Sequence, residues 1–216
     1  MRLSIFLIIG ILATSSTFAA EKANKSQKNS GVSGQVFVVT KGGQTFKLPI
    51  IEVNAIPEKV ITQYIASRQQ TRQEQIAILQ PKVDTLKTES KNLEEIYMGS
   101  SMFKDPEHET KHQAWKSKVN EFINVRVELD EVLSDGYFFV AMPPSKATAK
   151  TDADGKFKLS LPAGKYALAA FGSRHIAGDI ERYHWLVWVT VPSKGDIMLS
   201  NDNMMDTTCR ECVVTQ

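Results

Sequence analysis

The sequence predicts an α+β protein in which an antiparallel β-sandwich carries a long inserted antiparallel α-helical hairpin. Residues 31–56 and 137–200 are short runs of β-branched and aromatic residues separated by glycine and proline turns. Between them, residues 57–98 contain no glycine and switch to a helical period. The composition is that of a globular chain: 216 residues, 42% hydrophobic and 23% charged, with only 12 Gly and 8 Pro. This excludes disordered, collagen-like and multi-span membrane classes. Lys and Arg total 26 against 24 Asp and Glu, a net charge of +2, so no nucleic-acid partner is indicated.

Residues 1–20 begin with Arg2, continue through the apolar run Leu3–Ala13 and end in Thr17-Phe18-Ala19-Ala20. That is the secretory signal pattern, with Thr17 and Ala19 placing small side chains at the −3 and −1 positions for cleavage after Ala19. Cleavage after Ala20 would put bulky Phe18 at −3. The apolar run is shorter than the ~20 residues of a membrane-spanning helix, so the expectation is a periplasmic or secreted protein with no integral membrane segment after cleavage. Residues 20–30 read as a polar linker.

From Gly31 the run VSGQVFVVT, the turn Lys41-Gly42-Gly43-Gln44 and the run TFKLPIIEVNAI predict two antiparallel strands. Pro57 suits the first position of a helix and Glu58 complements its dipole. Ile76, Leu79, Val83, Leu86, Ser90, Leu93 and Tyr97 follow a 3-4 spacing, the seam of a coiled coil. Pro81 predicts a kink or break near Gln80, and Gly99 a left-handed helix end. Asp105-Pro106 is expected to start a second helix. Its stripe is Trp115, Val119, Phe122, Leu129 and Leu133, interrupted by Arg126. The hairpin insertion is therefore placed at 57–135, and at 1.5 Å per residue its first helix would reach ~60 Å, so part of it should project.

After Gly136 the β pattern resumes with YFFVAMP, ATAKT, the turn Asp152-Ala153-Asp154-Gly155, KFKLSLP, the turn Pro162-Ala163-Gly164, KYALAAFG, YHWLVWVTV and DIMLS. Short strands at this spacing predict a discontinuous sandwich over 31–56 and 137–200, followed by a tail at 201–216.

The stretch from Thr151 to Ala170, TDADGKFKLSLPAGKYALAA, together with GQVFVVT and IIEVNAI, resembles the carboxypeptidase regulatory-like domains, also called transthyretin- or prealbumin-like β-sandwiches. Their pattern is T-D-x-x-G-x-F-x-L followed by P-x-G-x-Y-x-L. It has a physical basis, because Gly155 and Gly164 permit turns while Phe157, Leu159, Tyr166 and Leu168 alternate onto one buried face. The resemblance covers the β parts and not the helices. It implies a prealbumin-like sandwich acting as a non-catalytic, extracytoplasmic binding module, and it brings no catalytic residues or cofactor.

Five constellations could carry chemistry. His108-Glu109-Thr110-Lys111-His112 has the H-E-x-x-H spacing of zinc metallopeptidases, in which two histidines one turn apart hold the metal and the glutamate activates water. Lys111 inside it, Glu107 before it and the lack of a convincing third ligand argue that the match is fortuitous. Cys209 and Cys212, in an exported chain, are expected to pair as a local disulfide; a redox-active or metal-carrying CxxC is the alternative. Asp152-x-Asp154-Gly155 and the Asn201-Asp202-Asn203/Asp206 cluster read as turns and caps, not calcium loops. Tyr183-His184-Trp185-Leu186-Val187-Trp188 is apolar or aromatic on both faces, so either the strand is covered on both sides or Tyr183 and Trp185 form an aromatic face for a sugar ring or protein. Taken together these readings predict an exported non-enzymatic binding protein, with partner contact or self-association through the hairpin.

Overall fold

The computed structural model describes residues 29–206 and 212–215. The signal segment therefore lies outside the described residues, as does Cys209. The described residues form an α+β fold with two four-stranded sheets and two long helices.

Strand β1 (Ser30–Val39) anchors the first sheet, with β2 (Thr45–Lys47) and β5 (Lys156–Leu161) antiparallel to it and β8 (Ile197–Leu199) parallel. The second sheet has the order β4 (Ala147–Lys150), β3 (Glu52–Pro57), β6 (Gly164–Ile176), β7 (Asp179–Val191), all antiparallel. The two sheets face each other across one core. Val32, Val36, Phe157 and Leu199 of the first meet Val53, Leu168, Trp185 and Val187 of the second. Alternation explains which residues enter: in β5, Phe157, Leu159 and Leu161 are buried while Lys156, Lys158 and Ser160 are exposed. Trp185 is fully buried, and its indole N–H donates to the Ser200 carbonyl at 2.8 Å, so the largest core side chain leaves no polar atom unpaired.

The run TFKLPIIEVNAI forms two strands, not one. Thr45–Lys47 stays with β1, whereas Glu52–Pro57 crosses to the other sheet. The crossing is fixed by buried Thr151, whose hydroxyl donates to the Leu48 carbonyl at 2.7 Å and accepts from the Ile51 N–H at 2.8 Å. Gly155 adopts φ +72 in the Asp152 turn, where the Asp152 carboxylate accepts the Asp154 and Lys156 amides. Gly164, expected to permit a turn, has no positive φ and opens β6 in extended form.

Helix α1 (Glu58–Met98) follows β3 directly, with Pro57 as the last strand residue and N-cap, one place earlier than the sequence suggests. It runs without a break through Pro81. The apolar phase is continuous across the proline, so packing on one face holds the helix despite one missing N–H. Gly99 ends it in right-handed geometry (φ −76), because the Gly99 amide reaches the Glu95 carbonyl while the Ser100 amide and hydroxyl both donate to the Tyr97 carbonyl. A left-handed cap is then unnecessary. Helix α2 (His108–Leu133) begins later than Asp105-Pro106: the Asp105 carboxylate accepts the Glu107 amide and its carbonyl accepts the His108 amide, forming a turn ahead of the helix.

The helices lie antiparallel, sealed by Val83 and Leu86 against Val125 and Leu129. Arg126 is outside this seam, paired with Asp130 at 3.0 Å, and Val125 takes the place the sequence reading gave to it. Only the base of the pair touches the sheet. Ile61, Ile65 and Val132 join Ile56, Ala167 and Leu186 in a second core on the outer face of the β3–β6–β7 sheet. Tyr137 and Phe138 enter the same core from a 3-10 turn (Asp135–Phe139) where YFFVAMP was expected to be a strand. Consecutive aromatics that both bury on one side cannot do so from an alternating strand. Residues of the tail complete this core: Met205, Cys212 and Val213 are buried, and Val214 bridges to Val187 of β7.

Candidate functional site

The expected aromatic face at Tyr183 and Trp185 is not open. Both point into the sandwich core, and Tyr183 keeps only its hydroxyl end near polar groups, where it meets Glu181. Two-sided apolarity in this strand reflects coverage on both sides.

The HETKH histidines are brought together, but as packing rings. His112 stacks on Tyr97 at 4.7 Å between centroids, His108 lies 5.1 Å from the same ring, and His108 Nδ1 is 2.7 Å from the Ser100 hydroxyl. Glu109 faces solvent and is hydrogen-bonded by Gln113. That bond, more than the nearby His112, holds its carboxyl below the usual range. Lys111 turns back to Asp105 at 2.7 Å. Among the described residues no group of three or more His, Cys, Asp or Glu could hold a metal. Beyond this ring stack, the far end of the helical pair exposes Ile96, Met98, Met102 and Phe103, the last 94% accessible.

Cys212 is buried beside α1, with Gln69 Nε2 3.2 Å from its sulfur. The expected pairing with Cys209 falls on a residue outside those described.

Sequence reasoning missed a cleft on the outer face of the second sheet, above the part that the helix base covers. Alternation along β3, β6 and β7 places Glu52, Phe171, Arg182 and His184 on this face. Phe171 pairs with His184 across the strands and remains 47% exposed. The imidazole of His184 is held between two rings, Phe171 at 4.9 Å and Phe139 at 4.8 Å. Its Nδ1 lies 2.9 Å from Asp135 Oδ2, within polar contact yet out of line for a well-formed hydrogen bond. Burial pushes the Asp135 carboxyl up, but His184 and the Gly136 amide outweigh it and hold the group below the usual range. The space divides around Phe171 and His184 into an apolar part of about 430 Å³, edged by Phe139, Val140 and Met142, and a more polar part of about 730 Å³ against the end of α2. The available signal was His184 itself, the one polar side chain within the otherwise apolar and aromatic run 183–189 of this strand.

No helix among the described residues is long and apolar enough to cross a membrane. No family model matches the chain, and no curated protein matches it. A solved structure of a Pseudomonas aeruginosa protein proposed to bind carbohydrate is similar at 14% identity with a TM-score of 0.36, covering 83% of this chain and 92% of that one. Nothing about ligand or activity transfers at that distance.

Proposed function

We propose that this is an exported, non-catalytic interaction protein built on a carboxypeptidase regulatory-like, prealbumin-like sandwich, and that it contacts another protein chain through the far end of its helical hairpin. The observation that carries this reading is the apolar tip formed by Ile96, Met98, Met102 and Phe103. The seam behind it is closed within the chain by Val83, Leu86, Val125 and Leu129, so it needs no second chain to shield it. The tip has no such cover among the described residues, and a group of large exposed apolar side chains on a protein surface marks a contact with something else. The partner is a second copy or a different exported protein. Export rests on the signal pattern of residues 1–20, and a Cys209–Cys212 disulfide fits the oxidising compartment that export implies.

The test is a photo-crosslinking residue at position 103 in the full chain, expressed in its native cell, with Lys158 on the exposed face of β5 as the control position. Adducts from position 103 alone are expected, and their mass distinguishes self-association from a different partner. Adducts from neither position, or equally from both, would remove the tip as the contact surface.

A further inference from the structure

We propose that the cleft around Phe171 and His184 is a binding site for an organic ammonium, a protonated amine carried on a single ring. The argument rests on what the cleft offers and lacks. Its walls include the Phe139 and Phe171 rings and the Met142 side chain, and its smaller part of about 430 Å³ is the size of a single-ring ligand. Its polar groups are chiefly acceptors. Asp135, Glu131 and Glu52 contribute carboxylates, and Asp130 adds another that Arg126 already engages at 3.0 Å. Arg182 is the one Lys or Arg among the lining residues.

His184 joins these acids to the aromatic walls, stacked on Phe171 at 4.9 Å and 2.9 Å from Asp135. Its side chain is only 5% exposed, with Nδ1 turned toward Asp135, and it lines both parts of the cleft. Asp135 beside Nδ1 favours the proton on that nitrogen, which leaves Nε2 as a further acceptor. A phosphate or carboxylate ligand would meet like charge. A neutral ring with hydroxyls would satisfy some acceptors but gain nothing from the excess of carboxylates. An ammonium satisfies both, donating to carboxylate and imidazole while its carbon body lies on the aromatic faces. The site is remote in sequence from the helical tip, and the proposal does not depend on the tip binding anything.

The experiment uses the full chain at neutral pH and low salt, with benzylamine and its neutral counterpart benzyl alcohol as probes in calorimetric or NMR titrations. Benzylamine is expected to bind roughly tenfold more tightly than benzyl alcohol, and added salt to weaken the amine alone. Phe171 and Arg182 are both exposed, so their variants should fold. Phe171→Ala should weaken both probes. Arg182→Gln should tighten the amine by about two- to fivefold, because it removes the cation that opposes it. Equal affinities for the two probes, weaker amine binding in Arg182→Gln, or no saturable benzylamine binding would each overturn the proposal.

Discussion

The ring of Tyr97 lies on that of Trp115, with centroids 5.5 Å apart and planes 11° from parallel, joining the last turns of α1 to the first turns of α2. His112 stacks on both the tyrosine, at 4.7 Å, and the tryptophan, at 5.9 Å. This arrangement gives the HETKH segment a packing role, since rings spent on one another are not arranged around a metal.

Zinc should therefore leave the protein unchanged. Added zinc is expected to move the melting temperature by less than about 1 °C, because a ligand stabilises only what it binds. A rise of several degrees that His108→Ala abolishes would contradict this, as would zinc retained stoichiometrically through purification.

Leu129 is fully buried in the core between the helices, away from the sandwich. Leu129→Ala should cost about 2–5 kcal/mol of helical packing. Hydrogen exchange should locate the damage: amides of α1 and α2 beyond the base lose protection, while β5 and β7 keep theirs. Uniform loss across both sheets would mean that the two cores unfold as one unit.

Pro81 sits on an exposed position inside α1 and denies the helix one amide donor. Pro81→Ala is expected to stabilise the chain by up to about 3 kcal/mol, read as a higher denaturation midpoint. A lower midpoint would imply that the proline shapes the helix for a contact along its length.

Gly155 has φ +72, and a Cβ there would stand 2.5 Å from the Val36 carbonyl oxygen. Gly155→Ala should destabilise by at least about 1 kcal/mol, since both the backbone conformation and the space exclude a side chain. Gly31→Ala, with nothing within 4 Å, is the matched control and should be far milder.

Asp135 has a lowered pKa in the folded chain, so its ionised form favours folding. Its contribution is fully present above the unfolded-state value of ~3.9 and is lost as pH falls through the folded value. Asp135→Asn should accordingly lower the melting temperature at pH 7, and the gap to the native chain should narrow as pH falls below the unfolded-state value. A gap that widens in acid would reverse the assigned sign.

The β segments and the α1 seam were legible because alternation and 3-4 spacing are local properties: Phe157, Leu159, Val83 and Leu86 all fall on the expected faces. The α2 stripe was less so, since Val125 and Arg126 are adjacent and only the partner helix decides which faces inward. The division of TFKLPIIEVNAI depended on Thr151, about a hundred residues away, which no periodicity reveals. The cleft was equally hidden. Its key residues Asp135, Phe171 and His184 come from three elements, and their meeting is a product of strand register and of how far the helix base covers the sheet.

Helix α1 begins on the residue after β3 ends, and the partner helix returns toward β4, the neighbour of β3. With no slack at Pro57, the helical pair behaves as a lever clamped in the sheet. A sideways load at Phe103 would arrive as torque on β3 and on the Ile61, Ile65 and Val132 contacts that grip it, so stiffness at the clamp sets how closely tip and sheet must turn together.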